Sequence, residues 1–180
     1  MNPSNVDNPW NLIPDLAIPD LSQAAFIAPG AWVMGQVSIA PEVSIWYGAM
    51  VRGDVSPIHL GQGTNIQDGA ILHGDPDQPT VLEAYVTVGH RAVIHSAHIE
   101  TGTLVGIGAI VMNGVTVGSG CIIGAGAVVT RSLPPRSLVV GVPGKVIRAV
   151  DDAEAAGLIA HAQHYIALAR HHARRLSPLS

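Results

Sequence analysis

Three histidines, His73, His90 and His95, stand among apolar residues that recur at intervals of six. Imidazole is a good ligand for Zn²⁺, and catalytic zinc sites use three protein ligands and leave a fourth position open for water. His73 and His95 each follow an aliphatic residue at the same place in the six-residue pattern, whereas His90 comes two places after Val88. We therefore expect His73 and His95 to stack on one face and His90 to point elsewhere. The three rings would meet if His90 reached across to a neighbouring subunit, and the spacing alone leaves ordinary surface or core histidines as an equal alternative.

The apolar pattern predicts the scaffold that carries these histidines. A helix would need apolar spacings of three and four, and a half-buried strand would need a spacing of two. A period of six is instead the signature of a parallel β-helix, in which each hexad supplies a short strand and a turn. Three hexads form one coil, so residues about eighteen apart are expected to stack. The series is Ile27, Val33, Ile39, Ile45 and Val51, then Leu60, Ile66 and Leu72, then Val88 and Ile94, and after a one-residue slip Ile99, Val105, Val111, Val117, Ile123 and Val129.

The chain divides into three predicted regions within a single domain. Residues 1–20 form an N-terminal arm with four prolines, which exclude a regular helix. Residues 21–148 carry the repeat, and residues 149–180 change to a helical pattern that begins with acidic capping residues and carries an apolar stripe. A turn-rich insertion, residues 74–80, follows His73 directly. We expect the final helix to pack along the β-helix or against a neighbouring subunit.

The composition restricts the classes of function. Charged residues make up 12% of the 180 residues, against roughly 25% in ordinary soluble proteins, so part of the large solenoid surface is expected to be buried in an oligomer.

The formal net charge of −4 gives no indication of nucleic acid or of an anionic membrane as a partner. Cys121 is the single cysteine, which excludes an internal disulfide and a cysteine-based zinc site. The polar start of the chain and the lack of a long apolar run predict a cytoplasmic protein.

Four segments resemble the γ-class carbonic anhydrase family: residues 51–54, 64–69, 72–73 and 88–95. The resemblance implies a left-handed parallel β-helix with a trailing helix, assembled as a homotrimer. It implies that His73, His90 and His95 are the zinc ligands, two from one subunit and one from its neighbour. The implied reaction is hydration of CO2 to bicarbonate by a zinc-bound hydroxide. Three imidazoles also accept iron or cobalt, so the sequence does not name the metal.

The same resemblance assigns roles to residues around the histidines. Arg52 and Asp54 match a pair that forms salt bridges at the subunit interface, and holding the trimer is their expected main role. Asn65 and Gln67 match polar residues that orient the bound water or substrate, although Asn65 is also suited to a plain solenoid turn. Asp68 is expected to support a histidine or the interface, as carboxylates commonly do beside metal sites.

Further candidates come from the helix and from the insertion. Tyr165 resembles a tyrosine that reaches the active site in related proteins, and it also falls on the apolar packing stripe. The family's best-characterised members use glutamates for proton transfer, and this chain offers only Asp75 and Asp77 in the corresponding loop. His161 and His164 lie about one helical turn apart, and we expect them on a polar face of the helix.

Two other functions fit the repeat. A hexapeptide acyltransferase would use an acyl-coenzyme A and one histidine as general base. A non-catalytic or weakly active metal-binding trimer would serve as a scaffold. The combination of three histidines with Asn65 and Gln67 favours the anhydrase, because a transferase needs one base and no set of three metal ligands.

Overall fold

Short parallel strands alternate with tight turns through most of the chain, and one helix follows them. The computed structural model describes residues 16–176. The strands are β1 (Phe26–Ile27), β2 (Trp32–Ile39), β3 (Ser44–Ile45), β4 (Met50–Leu60), β5 (Asn65–Ile66), β6 (Ile71–His73), β7 (Thr80–Leu82), β8 (Thr87–Val88), β9 (Val93–His95), β10 (His98–Ile99), β11 (Leu104–Val105), β12 (Ile110–Val111), β13 (Thr116–Val117), β14 (Ile122–Ile123), β15 (Val128–Val129), β16 (Ser137–Val140) and β17 (Lys145–Ala149), and the helix is α1 (Asp152–Leu176).

The strands stack into the three faces of a parallel β-solenoid. The first face runs β1-β3-β5-β8-β11-β14-β16. The second face consists of the first parts of β2 and β4 followed by β6, β9, β12 and β15, and the third of the last parts of β2 and β4 with β7, β10 and β13. The predicted β-helix of hexapeptide repeats with a C-terminal helix is therefore confirmed.

The strand register shows where the coils depart from eighteen residues. Phe26 pairs with Ser44, at the predicted spacing. Asn65 pairs with Thr87, 22 residues on, because the insertion after His73 lies in that coil. Thr87 pairs with Leu104, 17 residues on, which is the one-residue slip seen in the sequence. The insertion thus bulges from the corner where β6 ends and leaves the stacking of the faces intact.

The core is a stack of aliphatic side chains inside the coils. Val51, Leu72, Ile94 and Val111 lie one above another with no exposed surface. Burial of such side chains is the main favourable term in folding. The six-residue series therefore marks the inward positions, except that its first three members are only partly buried at the N-terminal end of the solenoid.

The last two strands form a hairpin at the end of the solenoid. Within the predicted repeat region, residues 21–148, β17 turns back and pairs antiparallel with β16. The hairpin covers the edge of the first face, which would otherwise leave unpaired backbone groups. Helix α1 then begins with a capping box, in which Asp151 Oδ1 accepts from the Glu154 amide at 2.8 Å and Glu154 Oε2 accepts from the Asp151 amide at 3.1 Å.

Helix α1 lies against the first face, where it contacts β1, β3 and β5. Its buried residues are Leu158, Ala162 and Ala169, spaced as on one side of a helix. The predicted packing of the helix along the β-helix is thus present within a single chain. Within the described residues, no helix is long and apolar enough to cross a membrane. The predicted N-terminal arm, residues 1–20, lies mostly outside the described residues.

Candidate active site

His73 and His95 come together at the ends of two neighbouring strands. They are register partners at the ends of β6 and β9, with their ring centroids 5.3 Å apart. His73 Nδ1 and His95 Nε2 face each other at 3.2 Å. The stacking predicted from the hexad positions is therefore present at this corner of the second face.

The other nitrogen of each ring is held by a side-chain oxygen. Asp54 Oδ1 lies 3.0 Å from His73 Nε2, and because a carboxylate only accepts, that nitrogen carries the proton. Asn113 Oδ1 lies 3.2 Å from His95 Nδ1. The Asn113 amide is oriented by Asp75, since its Nδ2 donates to the Asp75 carboxylate. His95 Nδ1 therefore donates to Asn113, and the tautomers of both rings are fixed.

These contacts leave a lone pair on each of the two facing nitrogens. Two lone pairs at 3.2 Å repel unless a cation lies between them. Two nitrogen ligands of a tetrahedral zinc ion, each about 2.0–2.1 Å from the metal, are about 3.3–3.4 Å apart. The pair fits two ligands of one metal ion in both spacing and tautomer.

His90 lies at the opposite edge of the same face. It occupies the turn before β9, whereas His95 ends that strand. Its Nδ1 is 2.9 Å from Asp68 Oδ2, which leaves Nε2 as the nitrogen available to a metal. Among residues 16–176, no three His, Cys, Asp or Glu side chains are close enough together to hold a metal ion. One chain therefore carries two ligands at one corner and a single oriented histidine at the other.

The turn with His90 borders a cavity of about 410 Å³ between the first face and α1. Gln67, His90, His161 and Tyr165 line it together with apolar and glycine residues. Gly89 takes the position stacked on Gln67 in the next coil, and a Cβ there would lie 2.8 Å from the Ile107 amide nitrogen. Close approach of the coils thus requires glycine, and the missing side chain leaves room for the cavity.

Two buried amides form a short chain behind this cavity. Gln67 Nε2 donates to Asn65 Oδ1 at 3.1 Å, and Asn65 Nδ2 donates to Thr87 Oγ1 at 2.9 Å. Asn65 has no exposed surface, and Gln67 is 4% exposed. Gln67 therefore presents a fixed amide to the cavity, and Asn65 holds it in place.

Tyr165 is part of the helix packing and also lines the cavity, which are the two roles predicted for it. Its ring packs edge-on against Trp46 at 5.5 Å between centroids, and the residue also lines the cavity. Burial and the negative charge of Asp68 raise the pKa of the Tyr165 phenol. The hydroxyl therefore remains protonated at neutral pH and can donate a hydrogen bond.

Arg52 and Asp54 form an ion pair within the chain, with Arg52 Nη1 2.5 Å from Asp54 Oδ2. Burial raises the pKa of Asp54, but hydrogen bonds from Arg52 and His73 outweigh it and hold the pKa below its usual range. Asp54 is thus ionised at neutral pH. Asp54 therefore contacts both Arg52, its predicted partner at the subunit interface, and His73, a candidate metal ligand.

Comparisons with known proteins identify the family of this chain. Residues 96–131 match the family model described as bacterial transferase hexapeptide (six repeats). A probable carbonic anhydrase of Methanocaldococcus jannaschii is 43% identical, with 82% of this chain and 94% of that protein covered. The mitochondrial gamma carbonic anhydrase 1 of Arabidopsis thaliana is 37% identical over 86% of this chain, which spans 59% of that longer protein. The chain belongs to the γ-class carbonic anhydrase family.

A solved structure supports the same fold. The hexapeptide transferase family protein from Anaplasma phagocytophilum is 38% identical, has a TM-score of 0.79, and matches 84% of this chain and 90% of its own. Membership of the γ-class carbonic anhydrase family implies a metal cofactor in general, and the oriented nitrogens of His73, His95 and His90 are candidate ligands for one.

Two residues of this candidate site were missed by the sequence reasoning. Asn113 follows His95 by 18 residues, one regular coil, so the repeat itself placed it above that histidine. His161 was expected on a polar face beside His164, but it lines the cavity. Nothing in the helical spacing indicated which of the two histidines would turn towards the solenoid.

Proposed function

We propose that this chain hydrates CO2 to bicarbonate at a zinc site shared between two subunits of a homotrimer. The observation that carries the proposal is the matched orientation of three imidazoles. His73, His95 and His90 each have one nitrogen held by an oxygen of Asp54, Asn113 or Asp68, and each keeps the other nitrogen as a ligand. A structural histidine has no need of this arrangement, and three of them suggest a tetrahedral metal with one position left for water.

The trimer is proposed because the ligands lie at opposite edges of one apolar face. The outward residues of the second face form an unbroken ladder in register: Trp32, Met50, Ile71, Val93, Ile110 and Val128. Trp32 is 60% exposed and Ile71 43% exposed in the single chain. An apolar ladder of this length suggests a contact with another subunit. Packing on this face would bring His90 of one subunit to His73 and His95 of the next.

The residues of the cavity suit the substrate and the product. A bound zinc ion supplies a water whose pKa is lowered to about 7, so that a nucleophile is present at neutral pH. Leu104 and Ile107 offer an apolar wall to CO2, which has no net dipole. Gln67 and Tyr165 would position the substrate and the developing bicarbonate by hydrogen bonds from fixed donors. The three rings would be held in the orientation for metal binding by the oxygens of Asp54, Asn113 and Asp68.

The test is stopped-flow CO2 hydration on purified protein whose metal content per chain is measured on the same sample. We expect a metal-dependent rate that disappears in His90→Ala. Full zinc occupancy without hydration would contradict the activity and leave a metal-binding scaffold. Transfer of an acetyl group from acetyl-coenzyme A by the metal-free protein would favour the transferase alternative.

A further inference from the structure

His161 is a titratable group in the cavity that neither the ligand set nor the substrate positions account for. It lies on α1, one turn before Tyr165, and the two ring centroids are 5.1 Å apart. It lines the same cavity as His90, and the residue also has exposed surface. The residue therefore borders both the cavity and solvent.

The proposed reaction releases one proton for each bicarbonate, since CO2 and water give bicarbonate and a proton. The carboxylates near the histidines already have partners: Asp54 pairs with Arg52 and His73, Asp68 with His90, and Asp75 with Asn113. Among the described residues, no carboxylate lines the cavity of about 410 Å³. A proton released into this cavity therefore meets histidine and tyrosine as its titratable groups.

The titratable neighbours of His161 favour a proton acceptor. Within α1 they are His164 and Tyr165, and across the cavity they are His90 and, beyond Tyr165, Asp68. Burial lowers the pKa of His161, and the charge of His164 lowers it further. The ring is thus neutral at pH 7 and can accept a proton, whereas Tyr165, with its raised pKa, cannot.

We propose that His161 relays the proton from the active site to solvent, an inference that rests on the proposed CO2 hydration. The proton lost from the attacking water passes through cavity water to a ring nitrogen of His161. The resulting imidazolium then gives that proton to buffer and returns to the neutral form. The carbon–oxygen bond forms elsewhere, so His161 acts on proton transfer and not on the attack.

The first test separates the two steps by oxygen-18 exchange at chemical equilibrium. We compare His161→Gln with His164→Gln, which changes the histidine one turn along that does not line the cavity. In His161→Gln we expect interconversion of CO2 and bicarbonate to stay within about twofold, release of labelled water to fall at least about tenfold, and added imidazole to restore it. His164→Gln should release labelled water much faster than His161→Gln, because it removes a charge near His161 but no group that lines the cavity.

Other outcomes overturn the proposal in distinguishable ways. Wild-type release of labelled water in His161→Gln would overturn the relay alone. An equal loss of both rates would show a structural role and would also overturn it. A wild-type protein without any interconversion would contradict the proposed function and the relay together.

A second test uses the free and zinc-loaded full chain without turnover. The ring of His161 is followed by NMR during a pH titration before and after zinc is added. We expect the titration midpoint of His161 to move to lower pH on zinc addition, because a positive charge would then lie at His90, which lines the same cavity. The shift should be smaller at His164 and absent in His90→Ala. A midpoint at His161 that zinc leaves unchanged would overturn the relay.

Discussion

His73 Nδ1 faces His95 Nε2 at 3.2 Å, and the other nitrogen of each ring lies against a side-chain oxygen. The two rings are held in this orientation because Asp54 accepts a hydrogen bond from His73 Nε2 and Asn113 accepts one from His95 Nδ1. Such a pair is stable when a cation lies between the lone pairs or when one ring is protonated. The contact therefore links the solenoid register to the proposed metal site.

The first prediction concerns Asn113. Asn113→Ala removes the acceptor of His95 Nδ1, so the ring is free to rotate and to take the other tautomer. We expect zinc affinity to fall about 10–100-fold with little change in melting temperature, as for other partners that orient metal ligands. The measurement is competition with a zinc chelator. Gln78→Ala, which truncates an exposed amide of the nearby insertion, should bind zinc like the wild type.

The second prediction tests whether the site is shared between subunits. His90→Ala and His95→Ala homotrimers should each lose stoichiometric zinc. When the two variants are unfolded, mixed in equal amounts and refolded, about one quarter of the sites should recover zinc, because one neighbour pair in four combines an intact His90 with an intact His73 and His95. Recovery of no sites would contradict a site at the subunit interface.

The third prediction compares two adjacent residues of β6. Leu72 has no exposed surface and Ile71 is 43% exposed. Leu72→Ala should lower the free energy of unfolding by about 2–5 kcal/mol, because it leaves a cavity in the stacked core. Ile71→Asp should leave the fold intact but convert the proposed trimer to monomers, measured by sedimentation. If the Ile71→Asp protein remained fully trimeric, the result would contradict the proposal that the second face is the subunit interface.

The fourth prediction concerns pH and the start of α1. Hydrogen bonds from Arg148 and from the Asp151 amide lower the pKa of Glu154 to about 2 from its ordinary value of 4.5. Because the folded pKa is depressed, the stabilisation is fully present above pH 4.5 and is lost as the pH falls through about 2. Thermal melts should show this loss in the wild type. Glu154→Gln should lack this component of the pH dependence, and parallel curves for the two proteins would contradict the cap.

The sequence by itself determined the solenoid. A period of six admits neither a helix nor an alternating strand, and each inward aliphatic residue, such as Leu72 or Ile94, had only one way to be buried. The stacking of His73 on His95 followed from the same count, as did the insertion after His73. These features are local or strictly periodic, so spacing is sufficient to define them.

Only the tertiary structure decided which side chains serve the histidines. Asn113 lies one coil from His95 and Asp75 in the insertion, and their contact depends on how the insertion folds back on the corner. The cavity exists because α1 packs across the first face. The rotation of the helix in that packing places His161, and not His164, in the cavity lining. Side-chain direction at a corner and the rotation of a helix about its axis are set by contacts distant in sequence, and a repeat count cannot supply them.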